Sequence, residues 1–327
     1  MSESSDMALT DLRLDQLVDY RPDVAQPSGF DAFWSRTLDE SRALSSPPAL
    51  ERVDTPITEL RVDSLSFSGF GGERVLAWVT RPLGDARRPV VIEYQGYNGG
   101  RGLPGERVLW ALAGYVHVLM DTRGQGSGWG TGGDTADPHG SGPATAGFMT
   151  RGIHHPDDYF YRRVFTDAAL LVDAVATFDF VDPDRIAVTG GSQGGGIAIA
   201  TAALAPTVRA VMPDVPFLSA FRRGAEIADS DPFAEIARYL SVHRTEVDRV
   251  FETLSYFDGV NFARRINVPA LFSAALMDEV VPPSTIFAAY NHLASDDRAI
   301  EVYEFNGHEG GLTHQWQRQA AWLASRI

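Results

Sequence analysis

Apolar positions along the chain change period several times, and each change marks an element. Phe30, Phe33, Trp34 and Leu38 recur at helical spacing, which predicts a helix over Phe30–Leu44 after a shorter one over Leu12–Leu17, the two packing as a leading cap. Four short runs rich in Val, Ile, Leu and aromatics then predict strands over Leu60–Phe67, Val75–Thr80, Val90–Tyr94 and Val116–Asp121. Gly69-Phe70-Gly71-Gly72 separates the first two, so they are expected to pair as an antiparallel hairpin. Beyond Tyr161 the pattern alternates: helix Phe165–Phe178, strand Ile186–Thr189, helix Gly194–Leu204, strand Arg209–Met212. It resumes with strand Ala270–Ala275, helix Ser284–Leu293, strand Ile300–Phe305 and a closing helix Leu312–Arg326. Such alternation implies an α/β fold with a mostly parallel central sheet and helices on both faces. Residues 213–267 read as a helical insertion, residues 1–58 as an N-terminal helical segment, and the whole chain, 1–327, as a single domain. The Gly-rich stretch Gly124–Gly147 is expected to be a long loop, a feature often tied to function.

Composition narrows the chemistry. With 44% hydrophobic and 22% charged residues, the 327-residue chain suits one large α/β domain. Its 43 acidic and 28 basic residues leave a formal charge of -15, which repels phosphate backbones and anionic lipid, so neither nucleic acid nor membrane is an expected partner. All 28 basic residues are Arg; without Lys there is no Schiff base, Ser-Lys dyad or Walker lysine. Without Cys there is no disulfide, thiol nucleophile or thiolate metal site. Met1–Asp31 is polar and acidic with no apolar signal core, and no run reaches the roughly 18 apolar residues of a membrane helix, so a soluble cytoplasmic protein is expected.

One pentapeptide carries the reaction chemistry. Gly190-Gly191-Ser192-Gln193-Gly194 stands between a predicted strand and a small-residue helix, the strand-turn-helix context in which G-x-S-x-G forms a nucleophile elbow. A serine hydroxyl needs a histidine to take its proton and a carboxylate to orient that histidine, in the chain order Ser, Asp, His. Asp278 and His308 each follow a predicted strand, where open α/β sheets place their sites. His117 lies within a strand and reads as a core residue; Asp214 also follows a strand, one too early for that order. His308-Glu309 with His314 lacks the i, i+4 spacing of a zinc helix, and Gly128-Trp129-Gly130-Thr131-Gly132-Gly133 precedes no helix. Neither a metal nor a cofactor is expected.

These residues resemble a branch of the α/β-hydrolases, the acetyl xylan esterases and cephalosporin-C deacetylases. The resemblance rests on Gly190-Gly191-Ser192-Gln193-Gly194-Gly195, Arg123-Gly124-Gln125 and His308-Glu309, on Met277-Asp278 with Pro282-Pro283-Ser284-Thr285, and on Met149-Thr150-Arg151-Gly152. It implies an oxyanion hole made by the backbone amides of Gln193 and of Tyr97, the last residue of Tyr94-Gln95-Gly96-Tyr97, in which Gln95 replaces the family's His. It further implies removal of short acyl groups, chiefly acetyl, from xylo-oligosaccharides and small esters such as acetylated cephalosporins, and a homo-oligomer, a hexamer in the family. Arg123 and Gln125 read as braces and Glu309 as an anchor beside His308. Trp129, Phe217 and Val280 are candidate walls of the acyl pocket. Two alternatives stay open: another serine hydrolase (a carboxylesterase for larger acyl groups, or a peptidase of the prolyl-oligopeptidase type, though no room for a propeller precedes the hydrolase segment), and a non-catalytic binder on the same fold.

Overall fold

The computed structural model describes residues 11–139 and 147–327, so part of the Gly124–Gly147 stretch lies outside the described residues. Its strands are β1 (Ala49–Arg52), β2 (Leu60–Ser68), β3 (Arg74–Pro82), β4 (Arg88–Tyr94), β5 (Val116–Met120), β6 (Val181–Gly191), β7 (Val208–Asp214), β8 (Ala270–Ala275) and β9 (Arg298–Tyr303). The helices are α1 (Leu14–Leu17), α2 (Phe30–Ala43), α3 (Leu109–Leu112), α4 (Phe160–Val175), α5 (Gln193–Leu204), α6 (Phe221–Ile227), α7 (Phe233–Val242), α8 (Val247–Ser255), α9 (Gly259–Ala263), α10 (Pro283–Asn291) and α11 (Leu312–Leu323). The strands form one sheet in the order β1-β2-β3-β5-β4-β6-β7-β8-β9. β1 to β3 pair antiparallel, as expected for the hairpin, and everything from β5 to β9 is parallel. The fold is that of an α/β-hydrolase.

A parallel strand is buried on both sides, and β4 shows how. Val90, Ile92 and Tyr94 face the core built with α4 and α5, whereas Val91 points the other way, into a smaller cluster with Trp110, Tyr115 and Leu323. The chain leaves β4 for β5 on one side and later enters β6 on the other, so the boundary between β4 and β6 is the topological switch point, where α/β sheets open a crevice. Tyr94 is in register with Gly190 there.

The N-terminal segment is not wholly helical: residues 49–52, expected within it, form edge strand β1 against β2. Helix α2 packs against α4 and the insertion. Its aromatic face packs sideways, Phe30 on Phe262 at 5.1 Å and Trp34 on Phe257 at 5.5 Å and Phe165 at 6.0 Å, and the Trp34 indole N–H donates to the Tyr256 carbonyl at 3.0 Å. The leading helix therefore clasps α4 and the insertion, which is helical as expected and made of α6 to α9.

Candidate active site

Ser192 sits between β6 and α5 with φ 56° and ψ -120°, a backbone shape that costs a non-glycine residue about 1–3 kcal/mol and persists only where its surroundings enforce it. They do so through three backbone bonds: the Ser192 N–H donates to the Asp214 carbonyl (2.9 Å), and the Ser192 carbonyl accepts from Gly196 (3.1 Å) and Phe217 (2.9 Å). Two of the motif's glycines are sterically required. A Cβ on Gly194 would lie 2.1 Å from the Tyr94 carbonyl oxygen, and one on Gly190 would lie 2.5 Å from the Gly194 backbone. Gly191 meets nothing within 4 Å, so the close approach of strand and helix does not need it.

The two predicted partners converge on this serine. His308 Nε2 lies 2.9 Å from Ser192 Oγ, and His308 Nδ1 lies 2.8 Å from Asp278 Oδ2. Asp278 is fully buried, and its other oxygen, Oδ1, accepts the Val280 and Val281 amides, each at 2.9 Å. An ionised carboxylate only accepts, so Nδ1 carries the ring proton and Nε2 presents its lone pair to the serine hydroxyl. Asp214, the rival acid, instead holds Gln319 and Ser273.

Tyr97 follows β4 and Gln193 is the first residue of α5, so the two come off the ends of adjacent strands, β4 and β6. Among the described residues neither backbone N–H has a protein acceptor. The Gln193 side chain is buried: its Oε1 accepts from the Tyr161 hydroxyl (2.8 Å), its amide pairs with that of Gln125 (2.9 and 3.0 Å), and its Nε2 donates to the Gln95 carbonyl (3.1 Å). Gln125 Oε1 also accepts the Asn98 amide at 2.9 Å, so one side chain ties the elbow to the loop bearing Tyr97. Gln95 is anchored at both ends, donating to the Gly100 carbonyl (2.8 Å) and accepting from Arg107 (3.1 Å); the replacement for the family's His thus has partners of its own.

Arg123 is a brace, as its place after a strand suggested. It is buried, with a bidentate pair to buried Asp167 (2.6 and 2.7 Å) and a third bond to Glu73 (2.5 Å), and beneath Gly124 and Gln125 it fixes the loop. Burial pushes the Asp167 carboxyl up while Arg123 opposes that shift. Replacing Arg123 by Leu strands this carboxylate in the core, and urea unfolding is expected to show a loss of about 3–5 kcal/mol. Glu309 Oε1 accepts from the Asn306 side chain at 2.9 Å, which pins the turn carrying His308.

Beside Ser192 opens a cavity of about 810 Å³. Trp110, Trp129 and Trp316 line it, with Leu109, Leu312, Arg107, Glu93, Gln319 and Asp214. Of the three candidate acyl walls only Trp129 lines it. Phe217 is sealed in the core against Phe233 at 4.6 Å, and the Val280 backbone is engaged with Asp278. Burial would raise Glu93, but Arg107 and His117, the latter 2.9 Å away, prevail and hold it at about 2. Among the described residues no cation pairs with Asp214, and burial pushes it up to about 7 despite bonds from Ser273 and Gln319. A carboxyl raised in the folded state stabilises most below its unfolded value near pH 4, and that contribution is lost as pH rises through about 7. The full shift corresponds to roughly 4 kcal/mol, which access through the cavity reduces to about 2. Asp214→Asn keeps an oxygen toward Ser273 and Gln319 and cannot ionise. It is expected to be about 2 kcal/mol more stable than the parent by denaturant titration at about pH 8, and equal to it at about pH 4.

The chain is similar over most of its length to known proteins. The family model described as acetyl xylan esterase (AXE1) matches residues 7–326. The acetyl esterase Axe7A of Xylanibacter ruminicola is 25% identical over 302 residues, 86% of this chain; the chain spans 63% of that relative's length. The solved acetyl xylan esterase from Paenibacillus sp. is 36% identical with a TM-score of 0.90, covering 97% of this chain and 100% of that one. Acetyl xylan esterase 1 from Thermoanaerobacterium sp. is 34% identical with a TM-score of 0.88, covering 96% and 99%. A family model that matches nearly the whole chain, with solved relatives 36% and 34% identical over almost all of it, places the protein in the acetyl xylan esterase family of α/β-hydrolases.

Proposed function

We propose that the protein is a serine esterase that removes short acyl groups, chiefly acetyl, from acetylated xylo-oligosaccharides and small esters, acetylated cephalosporins included. Ser192 Oγ attacks the ester carbonyl while His308 Nε2 takes its proton and Asp278 holds the imidazolium. The amides of Tyr97 and Gln193 receive the negative charge on the carbonyl oxygen, His308 returns the proton to the departing alcohol, and water releases the acid by the same steps. The observation that carries this reading is His308, set 2.9 Å from the serine and 2.8 Å from the buried carboxylate. The cavity supports a bulky alcohol: about 810 Å³ lined by three of the six tryptophans far exceeds what an acetyl group fills and is within the range of ligand sites. By family likeness we further propose a cytoplasmic homohexamer, which light scattering tests against the mass of one chain. Among the described residues no helix is long and apolar enough to cross a membrane.

The experiment is a series of p-nitrophenyl acetate, butyrate and octanoate, followed by acetate release from acetylated xylo-oligosaccharide. A steep fall in kcat/KM from acetate to octanoate, with acetate released from the sugar, is the expected result. A preference for octanoate would move the protein to the general carboxylesterases.

A further inference from the structure

Glu235 lies on α7 in the insertion, 138 residues from Tyr97 in sequence, and is buried to 3% exposure with no ion pair among the described residues. A bare carboxylate in that position is costly, so its contacts are informative. Its Oε1 accepts the Tyr97 hydroxyl at 2.7 Å and its Oε2 accepts the Met149 amide at 3.1 Å. The same Tyr97 hydroxyl accepts the Phe148 amide at 2.5 Å. The backbone is shaped around the carboxylate, since a Cβ on Gly147 would lie 1.7 Å from Glu235 Oε1. The Tyr97 ring meets Phe148 at 5.6 Å and Phe217 at 6.4 Å, both edge-on.

We propose that Glu235 is a positioning residue for the oxyanion hole, acting through the Tyr97 hydroxyl to aim the Tyr97 backbone N–H at the reacting carbonyl oxygen. The argument is one of tetrahedral geometry. Two directions leaving the Tyr97 Cα are fixed: the side chain by Glu235 at its tip, and the carbonyl by the Trp129 indole N–H at 2.6 Å. With Cβ and the carbonyl carbon held, the Cα–N bond has one direction left. The neighbouring Asn98 has φ 62°, a strained shape that the Gln125 bond to its amide helps to hold. Burial raises the Glu235 carboxyl, and the bonds from the Tyr97 hydroxyl and the Met149 amide oppose that rise.

The inference rests on the oxyanion role proposed for Tyr97, and its test separates the two. A donor misplaced by about 1 Å costs on the order of 10²-fold in rate. Glu235→Ala is therefore expected to lower kcat on p-nitrophenyl acetate about 100-fold with KM nearly unchanged, because acylation and deacylation both use the hole and slow together. Glu235→Gln, whose NH₂ must face either the Tyr97 hydroxyl or the Met149 amide, is expected to lose about tenfold and keeps the protein folded should the alanine variant fail. Affinity for phenylboronic acid, which forms a tetrahedral adduct on the serine, should fall by the same factor as kcat. The decisive cycle adds Tyr97→Phe: if Glu235 acts through that hydroxyl, the Tyr97→Phe/Glu235→Gln double variant is no slower than the slower single one. Additive losses, or a Glu235→Gln enzyme with full kcat and full boronate affinity while Ser192→Ala is dead, would overturn the positioning role and leave the esterase reading standing. Activity that survives Ser192→Ala would instead overturn the esterase reading itself.

Discussion

Ser192→Ala is expected to lower kcat on p-nitrophenyl acetate by about 10⁵- to 10⁶-fold, the size of loss seen when the nucleophile of a Ser-His-Asp hydrolase is removed. The change deletes one oxygen and nothing that holds the elbow. The three bonds around residue 192 are all backbone bonds, and Ala is as strained as Ser at φ 56°, so the fold should be untouched. His308 keeps its place because Asp278 holds its other nitrogen at 2.8 Å. The Tyr97 and Gln193 amides also remain, and residual rate of about 10³- to 10⁴-fold over water is expected from them and from binding. Initial rates beside an unchanged circular dichroism spectrum check the prediction, and a loss under 100-fold would remove Ser192 from the reaction.

Asp278→Asn is expected to cost about 10⁴-fold, by a route set by the two amides behind it. Val280 and Val281 both donate to Oδ1, so an asparagine must keep its oxygen there and turn its NH₂ toward His308. Facing a donor, Nδ1 must accept, the ring proton moves to Nε2, and the imidazole then points an N–H at the serine and has no lone pair to receive its proton. The fold survives and the tautomer is wrong. Rates within tenfold of the parent, in a variant that melts with the parent, would mean that His308 takes its orientation from elsewhere.

The parts of this site visible in the sequence are those that local patterns announce. Ser192, Asp278 and His308 each follow an apolar strand, and the strand order of the sheet then brings them together. The side-chain contacts of Glu235, Tyr161, Gln125 and Gln193 carry no such signal. Their partners are 32 to 138 residues away, and a buried polar contact at that range leaves no periodicity. Secondary structure follows the same division. The four residues of β1 are mostly exposed and owe their conformation to pairing with β2, so no alternation marks them. Helix α4 starts at Phe160, five residues ahead of the expected start, and its first turns are buried all round, Arg162 and Arg163 included. Phe217, a candidate acyl wall, follows the positive-φ residue Val215 (φ 36°) and lies fully buried in the core.

The insertion has a temporal meaning as well as a spatial one. Both amides of the proposed oxyanion hole and the serine lie before it in the chain, whereas Asp278 and His308 come after it, beyond β8 and β9 respectively. During synthesis the proposed nucleophile emerges more than 100 residues ahead of the histidine proposed to activate it, and the insertion, with the carboxylate under Tyr97, separates the two events. A nascent chain thus holds an inert serine until β8 and β9 close the sheet. Onset of hydrolysis in a translation reaction would report completion of the fold.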